Sequence, residues 1–411
     1  MERTIVGIDV GTTKVCTLIG EVDKDGQICV VGVGVAPSRG LTKGVVVNVE
    51  EASKSIASSI DKAERISGYR IEAAYLGLAG KHILSVNSKG TVAVGRGERY
   101  ITEDDVARAI EAAQDLAVQH GREIIHVLPR CYILDGQEGV RDPVGMMGFR
   151  LEAAVHIVTG AVPSIRNLVQ CVESSQVTVN ELVLQPLASA EAVLTLEERE
   201  TGVALVDAGG GTTDVAILAE GAICHSAVLP VGGNNLTNDI AVGLKTPFEV
   251  AEKLKLQYGH ALPEMIDPAE MIDVAAFGEA EVTTVPRRDL VAVLEARCEE
   301  LCALVQEEIR RSGYDGLLPA GLVLTGGTAE LPGFKELASE VLQMPVRVGR
   351  ARNVGGLADA VSNPSYATAV GLLQWGLKYG GPEKRTPKRE DGRFSELFRR
   401  FKEAFRALLP G

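Results

Sequence analysis

The sequence predicts an α/β fold made of two like half-domains that face one another across a phosphate-binding cleft. Three observations carry the prediction. The first is residues 203–218, VALVDAGGGTTDVAIL, where an apolar run ends in a carboxylate, three glycines and two threonines before a second apolar run begins. The flanks read as short buried strands, and a turn of Gly209, Gly210 and Gly211 can close its amides on an anion. The second is a shorter cousin at residues 5–19, IVGIDVGTTKVCTLI, in which Asp9 answers to Asp207 and the Thr12, Thr13 pair to Thr212 and Thr213. The third is the order of elements around each turn, strands and then helices, which is the make-up of a layered α/β domain.

Taken in order, residues 5–22 read as a hairpin and 27–35 as a third strand, all rich in Val and Ile. A helix follows at 49–67, ended by Gly68, and then a strand at 71–78. Residues 81–160 interrupt the order with a cycle of their own: strands within 83–94, a helix opened by Thr102 and Asp105 and running through Ala117, and extended chain at 124–134. This reads as an inserted subdomain, with membership of the main sheet as the alternative. Its segment DPVGMMGFRLE, 142–152, places Met146, Met147 and Phe149 on a glycine-rich loop, either as core fillers or as a subunit contact. The first half resumes at 161–202, with a helix beginning at Gln185. The second half covers 203–243 and 314–355 around a small domain at 244–313, and 356–379 closes back on the first half.

The two turns together suggest a clamp in which Gly11, Thr12, Thr13, Gly209, Gly210, Gly211, Thr212 and Thr213 hold a polyphosphate by backbone amides and hydroxyls. Mg²⁺ on a nucleotide keeps most of its waters and takes one or two carboxylates, a role for Asp9 and Asp207, with Asp214 a further candidate. Gly232, Gly233 and Asn234 stand where a strand enters a helix and exposes amides. Thr246 and Pro247 read as a helix opening with a hydroxyl cap. Glu249 and Lys253 lie four apart on that helix, and would be nucleoside ligands if they faced the cleft. Gly326 and Gly327 would admit a base or ribose close to the backbone. The Walker pattern is absent, which excludes a P-loop protein.

The 411 residues suffice for at least two cores, and a net charge of −13 argues against nucleic acid as the main partner. Seven cysteines without a CxxC pair suggest neither a disulfide framework nor a zinc site, so a reducing compartment fits. No run approaches the roughly 18 apolar residues of a membrane span. Residues 380–392 read as a charged, flexible linker. Beyond it, 393–409 places Phe394, Leu397, Phe398, Phe401, Phe405 and Leu408 at helical spacing on one face, with five bases on the other. Burying each large apolar side chain contributes roughly 1.5–3 kcal/mol, and each base near an anionic leaflet about 1 kcal/mol. Reversible attachment of a surface helix follows.

These motifs resemble the superfamily of actin, Hsp70 and the sugar kinases. Over the whole chain they are most similar to the FtsA family of bacterial cell-division proteins, through GIDVGTTKV, SRGLTKGV, DPVGMMG and VGGNNLTNDIA. The placing of the extra subdomain after the strand at 71–78, rather than before the first helix, is also like that family and unlike Hsp70 or MreB. The resemblance implies an actin-like (ribonuclease H-like) fold of duplicated domains facing an ATP cleft, with ATP and Mg²⁺ as cofactors. It implies self-assembly into filaments and binding of the FtsZ C-terminal tail by the 244–313 domain, where Arg288 and Arg297 could meet its acidic groups. It further implies a C-terminal amphipathic helix on the anionic inner face of the cell membrane at the division site, and recruitment of later division proteins. Where many superfamily members place an acid, this chain has Gln185, which orients a water but cannot act as a base, so at most slow hydrolysis is expected. A small-molecule kinase, a chaperone ATPase and a pilus-type actin-like adaptor are the alternatives.

Overall fold

A computed structural model describes residues 3–95, 100–115, 120–275 and 282–380. The linker from 381 and the amphipathic tail, with Phe394, Leu397, Phe398, Phe401, Phe405 and Leu408, lie outside the described residues.

The two halves repeat one topology. In the first, Arg3–Val10 pairs antiparallel with Lys14–Val22, and that strand with Ile28–Pro37; Ala73–Leu78 and Thr178–Leu184 add in parallel on the other side. In the second, Val203–Ala208, Thr213–Ala219 and Ala222–Leu229 form the same antiparallel run, and Leu322–Thr325 and Val346–Val348 add in parallel. A short strand, Val354–Gly356, returns to the first sheet beside Ile28–Pro37. Parallel strands need crossover helices, and the sequence supplies them with clear ends. Helix Val49–Ser67 begins where the Asn48 side chain accepts from the Glu51 amide and stops at Gly68 with φ 76°, while Ala52, Ile56, Ile60 and Ala63 are buried along one face.

Residues 83–161 build a separate four-stranded sheet rather than an extension of the main one: Ile83–Ala93, Arg150–Ala161, Arg122–Leu134 and Gln137–Val140, in that spatial order. Helix Glu103–Asp115 covers it, opened by a reciprocal cap in which the Thr102 amide donates to Asp105 (2.9 Å) and the Asp105 amide to Thr102 (3.2 Å); Ala117 lies outside the described residues. Met146 packs against this subdomain's core, whereas Met147 and Phe149 are 61% and 58% exposed, so core filling accounts for the first alone. The inserted sheet also reaches the second half. Ser85 Oγ donates to the Ser226 carbonyl (2.6 Å), Asn87 Nδ2 donates to the Cys224 carbonyl (3.0 Å), and His156 joins Asn87 Oδ1 (2.7 Å) to Ser226 Oγ (2.9 Å).

The opening of the helix Phe248–Tyr258 differs from expectation. Thr246 does not cap it: Pro247 holds the cap position, and the Thr246 hydroxyl donates to the Ala275 carbonyl at 2.5 Å, a partner from a distant strand that local spacing does not reveal.

Two helices, Gln185–Val193 and Ala367–Tyr379, cross between the halves. The first packs on strands of the second sheet, the second on strands of the first, and each on the other. Their backbones nearly touch: a Cβ on Gly371 would sit 1.8 Å from the Ala188 carbonyl oxygen. Among the described residues no helix is long and apolar enough to cross a membrane. Gly371→Ala must push the crossed helices apart, and is expected to lower unfolding stability by about 3 kcal/mol or more, read as a shifted denaturant midpoint.

Candidate functional site

Both hairpin tips have the same shape. The Gly11 amide donates to the Lys14 carbonyl (3.0 Å), and the Gly209 amide to the Thr212 carbonyl (2.9 Å). Asp9 stands opposite Cys16, and Asp207 opposite Asp214. This register corrects the pairing read from the threonines: Thr12 and Thr13 correspond to Gly210 and Gly211, and Lys14 to Thr212. Two equal turns cannot align at their second threonines, because the second half spends two glycines where the first has hydroxyls. The tips meet face to face. A Cβ on Gly210 would lie 2.2 Å from Thr13 Cγ2, and one on Gly211 would lie 2.6 Å from Thr12 Oγ1, so the glycines make room for the opposing threonines. Thr213 turns away, its hydroxyl donating to the Val231 carbonyl at 2.8 Å.

Three carboxylates lie beneath the tips. Burial pushes Asp9 up to about 7, with Lys14 opposing the rise and Asp207 adding to it. Burial also raises Asp207, against hydrogen bonds from Ser189 and Thr368. Asp214 is raised well above the usual carboxylate range by burial and then by Asp207 and Asp9, and its Oδ1 is buried without a partner. Lys14 is the nearby cation; its Nζ donates to Ser365 Oγ (2.8 Å) and lies 3.6 Å from the Tyr366 ring centroid, and burial lowers its pKa. Such a basin is short of positive charge, which fits a cation carried in by a nucleotide. Among the described residues no group of three or more His, Cys, Asp or Glu is arranged to hold a metal.

A collar surrounds the second tip. The Gly233 and Asn234 amides donate to the Gly209 (2.9 Å) and Gly210 (2.7 Å) carbonyls, and Thr328 Oγ1 to the Gly209 carbonyl (3.0 Å). Gly326, at φ 87°, is dictated by packing, since a Cβ there would lie 2.5 Å from both the Ala208 carbonyl and Asp207 Oδ1; beside Gly327 the nearest such neighbour is Ser365 at 3.7 Å. Glu249 and Lys253 are exposed. The residue of this helix that reaches the collar is Lys255, whose Nζ donates to the Gly233 carbonyl (3.1 Å) and Thr237 Oγ1 (2.7 Å) and pairs with Glu252 (2.7 Å). Glu252 in turn accepts from Thr237. Ala251 and Leu254 are buried and fix the rotation that brings this pair inward.

Residues 204–371 match the family model described as cell division protein FtsA, and residues 80–159 match the SHS2 domain inserted in FtsA. The chain belongs to the FtsA family. It is 50% identical to the cell division protein FtsA of Pseudomonas aeruginosa, across 92% of this chain and 90% of that one. It is 40% identical to that of Escherichia coli K12, across 91% and 90%. Among solved structures it is similar to the PilM–PilN type IV pilus biogenesis complex (TM-score 0.66, 15% identity, 91% and 98% coverage) and to MreB5 of Spiroplasma citri bound to ADP (TM-score 0.51, 14% identity, 91% and 96% coverage). The fold is the actin-like one.

In this FtsA-family chain, Gln185 opens its helix in the cleft and donates Nε2 to Asp9 Oδ1 at 2.8 Å, so its amide orients the carboxylate. Ser189, Thr368 and Lys255 belong to no glycine turn and carried no local signal as site residues; Lys14 and Thr328 end glycine turns, where the sequence pointed to the glycines and the paired threonines instead. The two arginines of the small domain differ. Arg288 is exposed, while Arg297 is held by Asp239 at 2.5 and 3.0 Å and by Glu300. They are nine residues apart on helix Arg287–Ser312, half a turn out of phase.

The Asp9 shift has a sign that can be tested. Its folded pKa, about 7, lies above the ordinary 3.8, so its favourable contribution is present at low pH and is lost as pH rises through 7. Asp9→Asn is therefore expected to raise the melting temperature of the ligand-free protein by several degrees at pH 8 and by much less at pH 4.5.

Proposed function

We propose that this protein binds Mg²⁺–ATP between its paired turns and acts as an actin-like division adaptor. It assembles into filaments and tethers the FtsZ ring to the inner face of the cytoplasmic membrane, where it helps recruit later division proteins. The observation that carries the nucleotide reading is the meeting of two equal turns over three buried carboxylates in a chain of the FtsA family. A likeness in fold to MreB5 solved with ADP agrees with it. Amides of Thr12, Thr13, Gly210, Gly211 and Thr212 and the hydroxyls of Thr12, Thr13 and Thr212 would take the phosphates, the Gly11 and Gly209 amides being used to close their turns, and Asp9 and Asp207 would hold the ion through water. Bound Mg²⁺ would neutralise phosphate charge. Gly232 to Asn234 and Gly327 would stand toward the nucleoside. With Gln185 where a base would be needed, hydrolysis is slow at most.

Attachment rests on the tail sequence. Six large apolar residues opposite five bases suit a helix lying in an anionic interface, and filament avidity would multiply a weak single contact. For the FtsZ tail, Arg288 is exposed, whereas Arg297 is engaged by Asp239 of the surrounding second half and by Glu300. A small-molecule kinase is not favoured, and the pilus-complex likeness, at 15% identity, concerns the fold.

Two measurements test this reading. Titration with a peptide copying the FtsZ C-terminus should show binding that Arg288→Glu weakens about tenfold or more, as expected for a charge pair of about 1.5 kcal/mol or more, and absence of binding to the parent chain would remove the adaptor role. Sedimentation with anionic vesicles should depend on residues 394–411; equal sedimentation after their removal would refute the anchor.

A further inference from the structure

Ser189 sits in the middle of the helix Gln185–Val193 and Thr368 in the first turn of Ala367–Tyr379, and the two hydroxyls converge on one atom. Ser189 Oγ donates to Asp207 Oδ2 at 2.5 Å, Thr368 Oγ1 donates to the same oxygen at 3.1 Å, and the hydroxyls lie 2.9 Å apart. Ser189 is fully buried, and Thr368 is nearly so. Its neighbours Ala188 and Ala190 show that packing alone is met by alanine there, and a serine inside a helix has no intrinsic advantage. A buried hydroxyl needs a partner, and here it is a carboxylate.

With Oδ2 engaged by two donors, the Asp207 carboxylate can turn only one oxygen elsewhere. That oxygen, Oδ1, lies beside Gly326, whose missing side chain leaves room: a Cβ there would approach Oδ1 to 2.5 Å. The same helix reaches the other half. Gln185, four residues before Ser189 and therefore on the same face, donates to Asp9 Oδ1 at 2.8 Å. One helix face thus holds the matching carboxylates of both halves, and Thr368 adds a tie from the second crossing helix.

Resting on the Mg²⁺–nucleotide reading of the cleft, we propose that Ser189 and Thr368 are positioning residues for Asp207. They hold one oxygen so that the other faces the hydrated ion, and Gln185 and Ser189 together set the spacing between Asp9 and Asp207. Neither hydroxyl touches the nucleotide. Their effect is confined to the ion-dependent part of binding.

The test is ADP binding by the full chain with Mg²⁺ and, separately, with EDTA, for the parent, Ser189→Ala, Thr368→Val and Thr368→Ser. Second-sphere partners of this kind typically carry about 10- to 100-fold in ion affinity, so Ser189→Ala and Thr368→Val should lose about tenfold or more of the Mg²⁺-dependent tightening while EDTA affinities stay within about twofold. Thr368→Ser, which keeps the hydroxyl, should match the parent. Parallel loss with and without Mg²⁺, a Thr368→Ser variant as weak as Thr368→Val, or unchanged Mg²⁺ tightening in both hydroxyl-free variants would overturn the positioning role and leave the nucleotide site standing. A parent chain that binds no ADP in either condition would overturn both.

Discussion

Three carboxylates buried within range of one another's charge set the terms for the structure around them. Asp9, Asp207 and Asp214 each lose hydration, and each is pushed toward protonation by that loss; like charge adds to it for Asp9 and Asp214. A protein does not gather such groups for stability, since uncompensated buried charge is costly. The surroundings answer with an amide on Asp9, two hydroxyls on Asp207 and one partly buried lysine, while one oxygen of Asp214 is left without a partner. Stability is given up where ligand chemistry is wanted, as perturbed carboxylates in a cleft commonly signal.

The duplication explains how the cluster is assembled. Each half brings an aspartate at the end of its first strand, two residues before a glycine that closes the turn. The halves then divide the labour. Threonines protrude from one tip, glycines recede in the other, and the fit between them comes from that difference rather than from symmetry. The helix pair behind the tips joins the halves backbone to backbone at Gly371 and Ala188, so the supports of both aspartates belong to one rigid crossing.

Much of this was legible in the sequence. The twin turns, the helix ended by Gly68, the inserted segment and the helix from Gln185 follow from local signals: periodicity, punctuation and glycine. What failed depends on rotation and distance. Spacing alone placed Glu249 and Lys253 on one face of a helix, but which face turns inward is decided by buried Ala251 and Leu254, and these bring in Glu252 and Lys255. The threonine pairs look equivalent, but Thr12 stands three residues after Asp9 and Thr212 five after Asp207, and the strand register carries that offset of two into the structure. Ser189 and Thr368 lie on helices far apart in the chain, each unremarkable by itself, and their meeting at one oxygen is a tertiary fact.

The inserted subdomain has a consequence for the second half that concerns solubility. Ala222–Leu229 is the outermost strand of its sheet, and an outer strand offers unpaired carbonyls to any other chain. Ser85 and Asn87 donate side-chain hydrogen bonds to the carbonyls of Ser226 and Cys224, two residues apart along that exposed edge. A segment rooted in the first half thus covers the sticking edge of the second. The insert precedes that strand in the chain, so the residues that cover the edge are synthesised before the edge itself.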